Sequence, residues 1–120
     1  LPISAICNNL IMTDLILDGI SSARSCQKKL FASTYTLQYD IGGALPTCLF
    51  QLPNITTLHL SGNGFTGSIP VDIVFSETLT DLALSHNALT GSIPPQIQHQ
   101  EWHSIDLSYN RLSGILSPSF

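Results

Sequence analysis

The sequence predicts an α/β repeat solenoid: a right-handed coil of about five repeats of 22–24 residues with a parallel β-sheet on its concave face. Three observations carry this expectation. Segments 58–70 (LHLSGNGFTGSIP), 82–94 (LALSHNALTGSIP) and 105–117 (IDLSYNRLSGILS) align without gaps. Asn63, Asn87 and Asn110, and after them Gly67, Gly91 and Gly114, recur every 23 to 24 residues. Each segment opens on an apolar-x-apolar alternation, the pattern of a short strand with one buried face. A unit of this length cannot bury its own apolar stripe, so the units must stack.

Each element then has a reason. Leu58/Leu60, Leu82/Leu84 and Ile105/Leu107 turn inward from successive strands. The amides of Asn63, Asn87 and Asn110 can bond the backbone of their own turn and of the next, satisfying polar groups that stacking would otherwise bury unpaired. The repeat glycines permit tight turns. Pro70 and Pro94 fix an extended segment as the chain crosses to the convex side, where Leu52, Ile55, Leu79, Ile97 and Trp102 fill the back of the core.

Toward the N-terminus the pattern decays. Gly43, Leu45 and Pro46 match the tail of another unit, whose strand would hold Tyr35 and Leu37, with Asp40 in the Asn position. Leu15 and Leu17 head an earlier unit that has Ile20 where Asn belongs, and Leu1-Pro2 reads as the tail of one before it. The expected organisation is one domain over 1–120, with degenerate repeats in 1–45 and regular ones in 46–117; residues 18–40 fit worst and could instead be an irregular insertion.

Composition narrows the function. Only 10% of residues are charged and the formal charge is −4, well below the roughly 25% charged content of ordinary soluble domains. Residues 30 to 110 contain no Lys or Arg, so nucleic acid, which demands a basic stripe, is not an expected partner. No apolar run approaches the ~20 residues of a membrane span, and no signal peptide is visible; the expectation is a mature chain or an excised part of a longer one.

The pattern L-x-L-x-x-N-x-L-x-G-x-I-P resembles the plant-type, extracellular subclass of leucine-rich repeats, found in receptor ectodomains, receptor-like proteins and polygalacturonase-inhibiting proteins. The resemblance is strong over 42–117 and loose before that. It implies a non-enzymatic extracellular module, secreted or at the cell surface or wall, that recognises a protein, peptide or glycan on the concave face. Such binding in the family singles out the exposed strand positions Tyr39, His59, His86, Asp106 and Tyr109 as contact candidates, although Ser, Gly and Ala dominate these columns and simple solvation accounts for them equally well. Asn54-Ile55-Thr56 is an N-glycosylation sequon, placed by repeat phase just before a strand.

No cofactor, metal site or catalytic constellation is expected. His59 and His86 are three positions apart on adjacent strands, an offset of roughly 10 Å and too wide for one zinc ion. His99 and His103, spaced i and i+4, lack a third ligand. Asp106 and His59 share a column two strands apart, about 10 Å and beyond direct pairing.

The three cysteines allow one internal disulfide. Cys26 and Cys48 flank successive repeat prolines and could meet across neighbouring coils; Cys7 fits the phase less well, and three buried thiols are the alternative. The family's paired-Cys end caps are missing. Ends that match in repeat phase also fit a second reading, a structural subunit of a glycosylated extracellular fibre or wall component that self-associates head to tail.

Overall fold

The computed structural model describes residues 3–19, 26–30, 33–37, 42–72, 74–118 and 120, with the backbone alone for 3–4, 26–30 and 33–37. A short helix α1 (Ile3–Ile6) is followed by β1 (Asp14–Ile16), β2 (Cys26–Leu30), β3 (Ser33–Leu37), β4 (Gly43–Ala44), α2 (Thr47–Phe50), β5 (Thr57–His59), β6 (Phe65–Ser68), β7 (Asp81–Ala83), β8 (Ala88–Ser92), α3 (Pro95–His99), β9 (Ser104–Asp106) and β10 (Arg111–Ser113). Two parallel four-stranded sheets result, ordered β1-β5-β7-β9 and β4-β6-β8-β10. Each regular repeat supplies one strand to each sheet and then crosses the back of the coil.

Register follows the repeat. Leu15, Leu58, Leu82 and Ile105 lie side by side across the first sheet. Between the sheets runs one apolar core in which Leu49, Phe50, Ile55, Leu58, Leu60, Ile69, Leu79, Leu84, Leu89 and Ile97 are fully buried. Phe50 and Phe75 meet edge to face at the back, ring centroids 5.3 Å apart. Proline positions the two back helices: Pro46 and Pro94 are their extended N-caps, and Pro95 occupies the first turn of α3, where a missing N–H costs nothing.

The asparagine ladder satisfies the turns between the sheets. Asn87 Nδ2 donates to Leu60 O (3.1 Å) and Leu84 O (3.0 Å), while its Oδ1 accepts from the backbone N–H of Asn63 (3.0 Å) and Phe65 (3.1 Å). Asn110 repeats this one coil later, bonding Leu84 O, Leu107 O and the N–H of Leu89. Asn63 donates to Leu17 O and Leu60 O and is fully buried. A buried amide without such partners would cost about 1–3 kcal/mol.

Two expectations are corrected. The unit predicted around Tyr35 and Leu37 does not join the concave sheet: β1 pairs directly with β5, and Ser33–Leu37 instead pairs antiparallel with Cys26–Leu30. The tail of that unit is nevertheless in place, since Gly43 and Ala44 pair with Phe65 and Thr66 and Leu45 is buried. Its head lacks the amide side chain that links consecutive coils, with Asp40 standing in the Asn position, and an inserted hairpin takes its place.

The disulfide also differs. Cys7, not Cys26, bonds Cys48, with their Cα atoms 6.0 Å apart, inside the 4.4–6.8 Å range a disulfide requires. Cys26 heads the inserted hairpin, so counting repeat phase from it toward Cys48 does not measure a distance between stacked coils.

Candidate functional site

The exposed side of the first sheet is built by the residues that alternate with the core leucines, since successive strand residues point to opposite faces. Across β1, β5, β7 and β9 they form columns: Asp14, Thr57, Asp81 and Ser104; Ile16, His59, Ala83 and Asp106; and, just beyond the strands, Asp18, Ser61, Ser85 and Ser108. An open groove of 540 Å³ runs over this face, lined by Asp18, Gly19, His59, Ser61, Gly62, Ala83, Ser85, His86, Ser104 and Asp106.

The structure brings four of the five contact candidates together. His59, His86 and Asp106 line the groove, and Tyr109 stacks on His86 with centroids 4.3 Å apart and ring planes 17° from parallel. Tyr39 lies outside the described residues. His86 and Tyr109 occupy the turn position that Gly19 and Gly62 hold in the earlier coils, with φ of 55° and 53° against 64° and 72°. Left-handed backbone is costly for a side chain larger than hydrogen; here it orients two rings side by side at the groove's margin, and Tyr109 is 75% exposed.

Fixed carboxylates complete the face. Asp106 Oδ1 accepts from the Ser108 hydroxyl (2.6 Å) and the Ser108 N–H (3.0 Å). These two donors, in that order, with smaller help from Ser85 and His86, hold its carboxyl below the ordinary 3.8 against a slight opposing effect of burial. Asp18 Oδ1 accepts from the Ser61 N–H (2.7 Å), and its Oδ2 lies 3.7 Å from His59 Nδ1. Asp81 Oδ1 is 3.1 Å from Nδ1 of His103. The Ser61 and Ser85 hydroxyls bond each other at 2.9 Å along the floor.

The repeat alignment puts Asp18 in one column with Gln38, Ser61, Ser85 and Ser108, and Asp18 is not among the contact candidates. That alignment makes Gln38 its neighbour; because β1 pairs directly with β5, Ser61 stands there instead. Among the described residues, no group of three His, Cys, Asp or Glu side chains converges as a metal site would require, and no helix is long and apolar enough to cross a membrane. Asn54 is exposed, its Nδ2 donating to Leu10 O at 3.1 Å.

Comparison with known proteins agrees with this architecture. The Leucine Rich Repeat family model matches residues 54–75, 78–100 and 102–120, together just over half of the chain. Among solved structures, the chain is similar to one from the BIR3–SERK2 complex of Arabidopsis thaliana, at 40% identity and a TM-score of 0.61 over 68% of this chain and 44% of that one. It also shares its fold with the leucine-rich-repeat ectodomain of the receptor kinase SOBIR1 from the same plant, at 24% identity and a TM-score of 0.56 over 76% and 54% of the two chains. The chain thus spans about half the length of these structures. No curated protein sequence matches it.

Proposed function

Because the chain belongs to the leucine-rich-repeat family, whose modules typically serve protein interaction, we propose that it is a non-enzymatic extracellular recognition module that binds a protein or peptide across its concave face. The observation that carries this is the groove itself. It is a sheet face with no covering element among the described residues, floored by small Ala and Ser side chains and flanked by the stacked His86 and Tyr109 rings. Small floor residues let a ligand backbone approach, and an exposed aromatic pair offers the kind of anchor on which interfaces concentrate their energy. The solved chain at 40% identity was crystallised in a complex, which fits such a role.

The extracellular part of the reading rests on the resemblance of the repeat pattern to extracellular leucine-rich repeats and on Asn54. Its exposed side-chain amide would keep one N–H for Leu10 O after a sugar is attached to the nitrogen, so glycosylation and this hydrogen bond are compatible. A glycan on the Asn54 peptide of the secreted chain, absent from Asn54→Gln, is the expected mass-spectrometric result.

The test of binding is to select peptides from a random display library on the folded chain and measure them against two variants. Ala83→Arg places a long charged side chain in the groove floor and should weaken the selected peptides by about tenfold or more. Glu77→Arg, an exposed position on the return loop outside the groove, should leave them unchanged. Peptides indifferent to Ala83→Arg would overturn the assignment to the concave face.

A further inference from the structure

The recognition reading leaves the ligand's chemistry open, and the charge on the sheet face narrows it. Every formally charged side chain in the strand columns is a carboxylate: Asp14, Asp18, Asp81 and Asp106. Among the described side chains, the other ionisable groups facing them are His59, His86, His103 and Tyr109; Arg24, Lys28 and Lys29 lie outside the described side chains. Lys and Arg are absent from residues 30 to 110, and Arg111 lies on the second sheet. Two of the aspartates are held at opposite ends of the groove by backbone N–H groups, at Ser61 and Ser108. A carboxylate oxygen has several acceptor sites, so each can take a further donor without giving up its tether.

Spacing and the aromatic pair specify more. Asp18 and Asp106 sit on strands three steps apart, about 14 Å across the sheet at ~4.8 Å per step, and two residues apart along the strand direction, about 7 Å, which makes roughly 16 Å in all. An extended peptide advances about 3.4 Å per residue and presents residues i and i+4 on the same side, ~14 Å apart, a difference that long Arg or Lys side chains span. Tyr109 follows Asp106 by three residues, with one ring face on His86 and the side chain 75% exposed. A guanidinium paired with Asp106 is thereby within reach of an aromatic surface on which it can stack.

Resting on the recognition reading, we propose that the concave face docks an extended cationic peptide, with two Arg or Lys side chains four residues apart meeting Asp18 and Asp106, the second also lying against Tyr109. The partner's chemistry is the complement of the face: a basic segment in extended conformation.

A suitable probe is a fluorescent acetyl-Ser-Arg-Ser-Gly-Ser-Arg-Ser amide, compared by anisotropy with the same peptide carrying Gln at both Arg positions. The Arg probe should bind about tenfold or more tightly than the Gln probe. The double variant Asp18→Asn/Asp106→Asn should abolish that preference, and Tyr109→Ala should reduce it about 2- to 5-fold. Glu77→Gln, which removes one negative charge away from the groove, should leave it intact, separating a site from the effect of net charge. For the unmodified chain the preference should also shrink between about 10 mM and 1 M salt, as the Debye length contracts from ~30 to ~3 Å; this arm does not depend on any variant folding. Equal binding of the two probes, or an Arg preference that survives the double substitution, would overturn the proposal. If library peptides of neutral or acidic composition still bind and are displaced by Ala83→Arg, the cationic assignment fails alone; if selected peptides ignore Ala83→Arg, the concave-face reading fails with it.

Discussion

At the scale of single residues, the chemistry of the face depends on small donors holding a charge in place. Asp106 is the clearest case. Its carboxyl titrates below 3.8 chiefly because the Ser108 hydroxyl and N–H bond the ionised form. A depressed folded-state value means that this contribution to stability is complete above pH 3.8 and is lost as the pH falls through the lowered value. Ser108→Ala removes the larger of the two donors and keeps the backbone one. Its expected effect is an upward move of the Asp106 midpoint toward 3.8, followed by the carboxyl carbon chemical shift; a midpoint that stays put would show that the hydroxyl is not the cause. Asn63, Asn87 and Asn110 were readable in the sequence because an amide can donate to two carbonyls and also accept from the backbone of a neighbouring coil, which for Asn87 and Asn110 is the preceding one and not the next. Asp18 was not, because its value depends on which strand lies beside β1. Counting repeats puts Gln38 there, whereas the fold puts Ser61, 43 residues further along the chain.

At the scale of elements, the regular coils from 46 onward were legible because periodicity, glycine turns and proline breaks all fall in one phase. The segment before them was not, since a unit that retains its tail at Gly43–Leu45 can lose its head to a hairpin without disturbing the spacing of the later coils. The same loss misdirected the cysteine pairing. Cys7 closes on Cys48 across 41 residues of sequence and ties the segment after α1 to α2. Closing a loop of this length is worth about 2–4 kcal/mol, and the link encloses β1, the hairpin and β4. Cys48→Ser should therefore lower the unfolding free energy by about that amount in urea titration. Cys26→Ser should leave the Cys7–Cys48 cross-linked peptide intact in a digest. A Cys48→Ser chain as stable as the original would remove the disulfide from any account of how the degenerate segment is held to the regular coils.

At the scale of the whole molecule, stability is a sum over neighbouring coils, and the neighbours are unequal. Leu58, Leu60, Leu82, Leu84 and Leu89 are fully or almost fully buried between coils on both sides, whereas Ile105, Leu107 and Leu112 are only partly buried and Ile115 is 93% exposed. For the isolated 120-residue chain, amide exchange should follow this gradient. The N–H groups of Leu60 and Leu84, which donate to Ala83 O and Asp106 O of the next coil, should exchange slowest among the described residues, and those over 104–113 fastest. Uniform protection along 57–113 would show that the coils open as one unit. The gradient also bears on recognition, because Asp106 and Tyr109 lie in the coil predicted to open most readily, while Asp18 lies at the other end of the groove. A cationic peptide spanning Asp18 to Asp106 binds the closed arrangement of that coil and not its opened form, so it must lower the population of the open state. Protection over 104–113 should therefore rise on saturation with the Arg probe and change little at Leu60. A rise confined to the middle coils would place the peptide elsewhere on the solenoid.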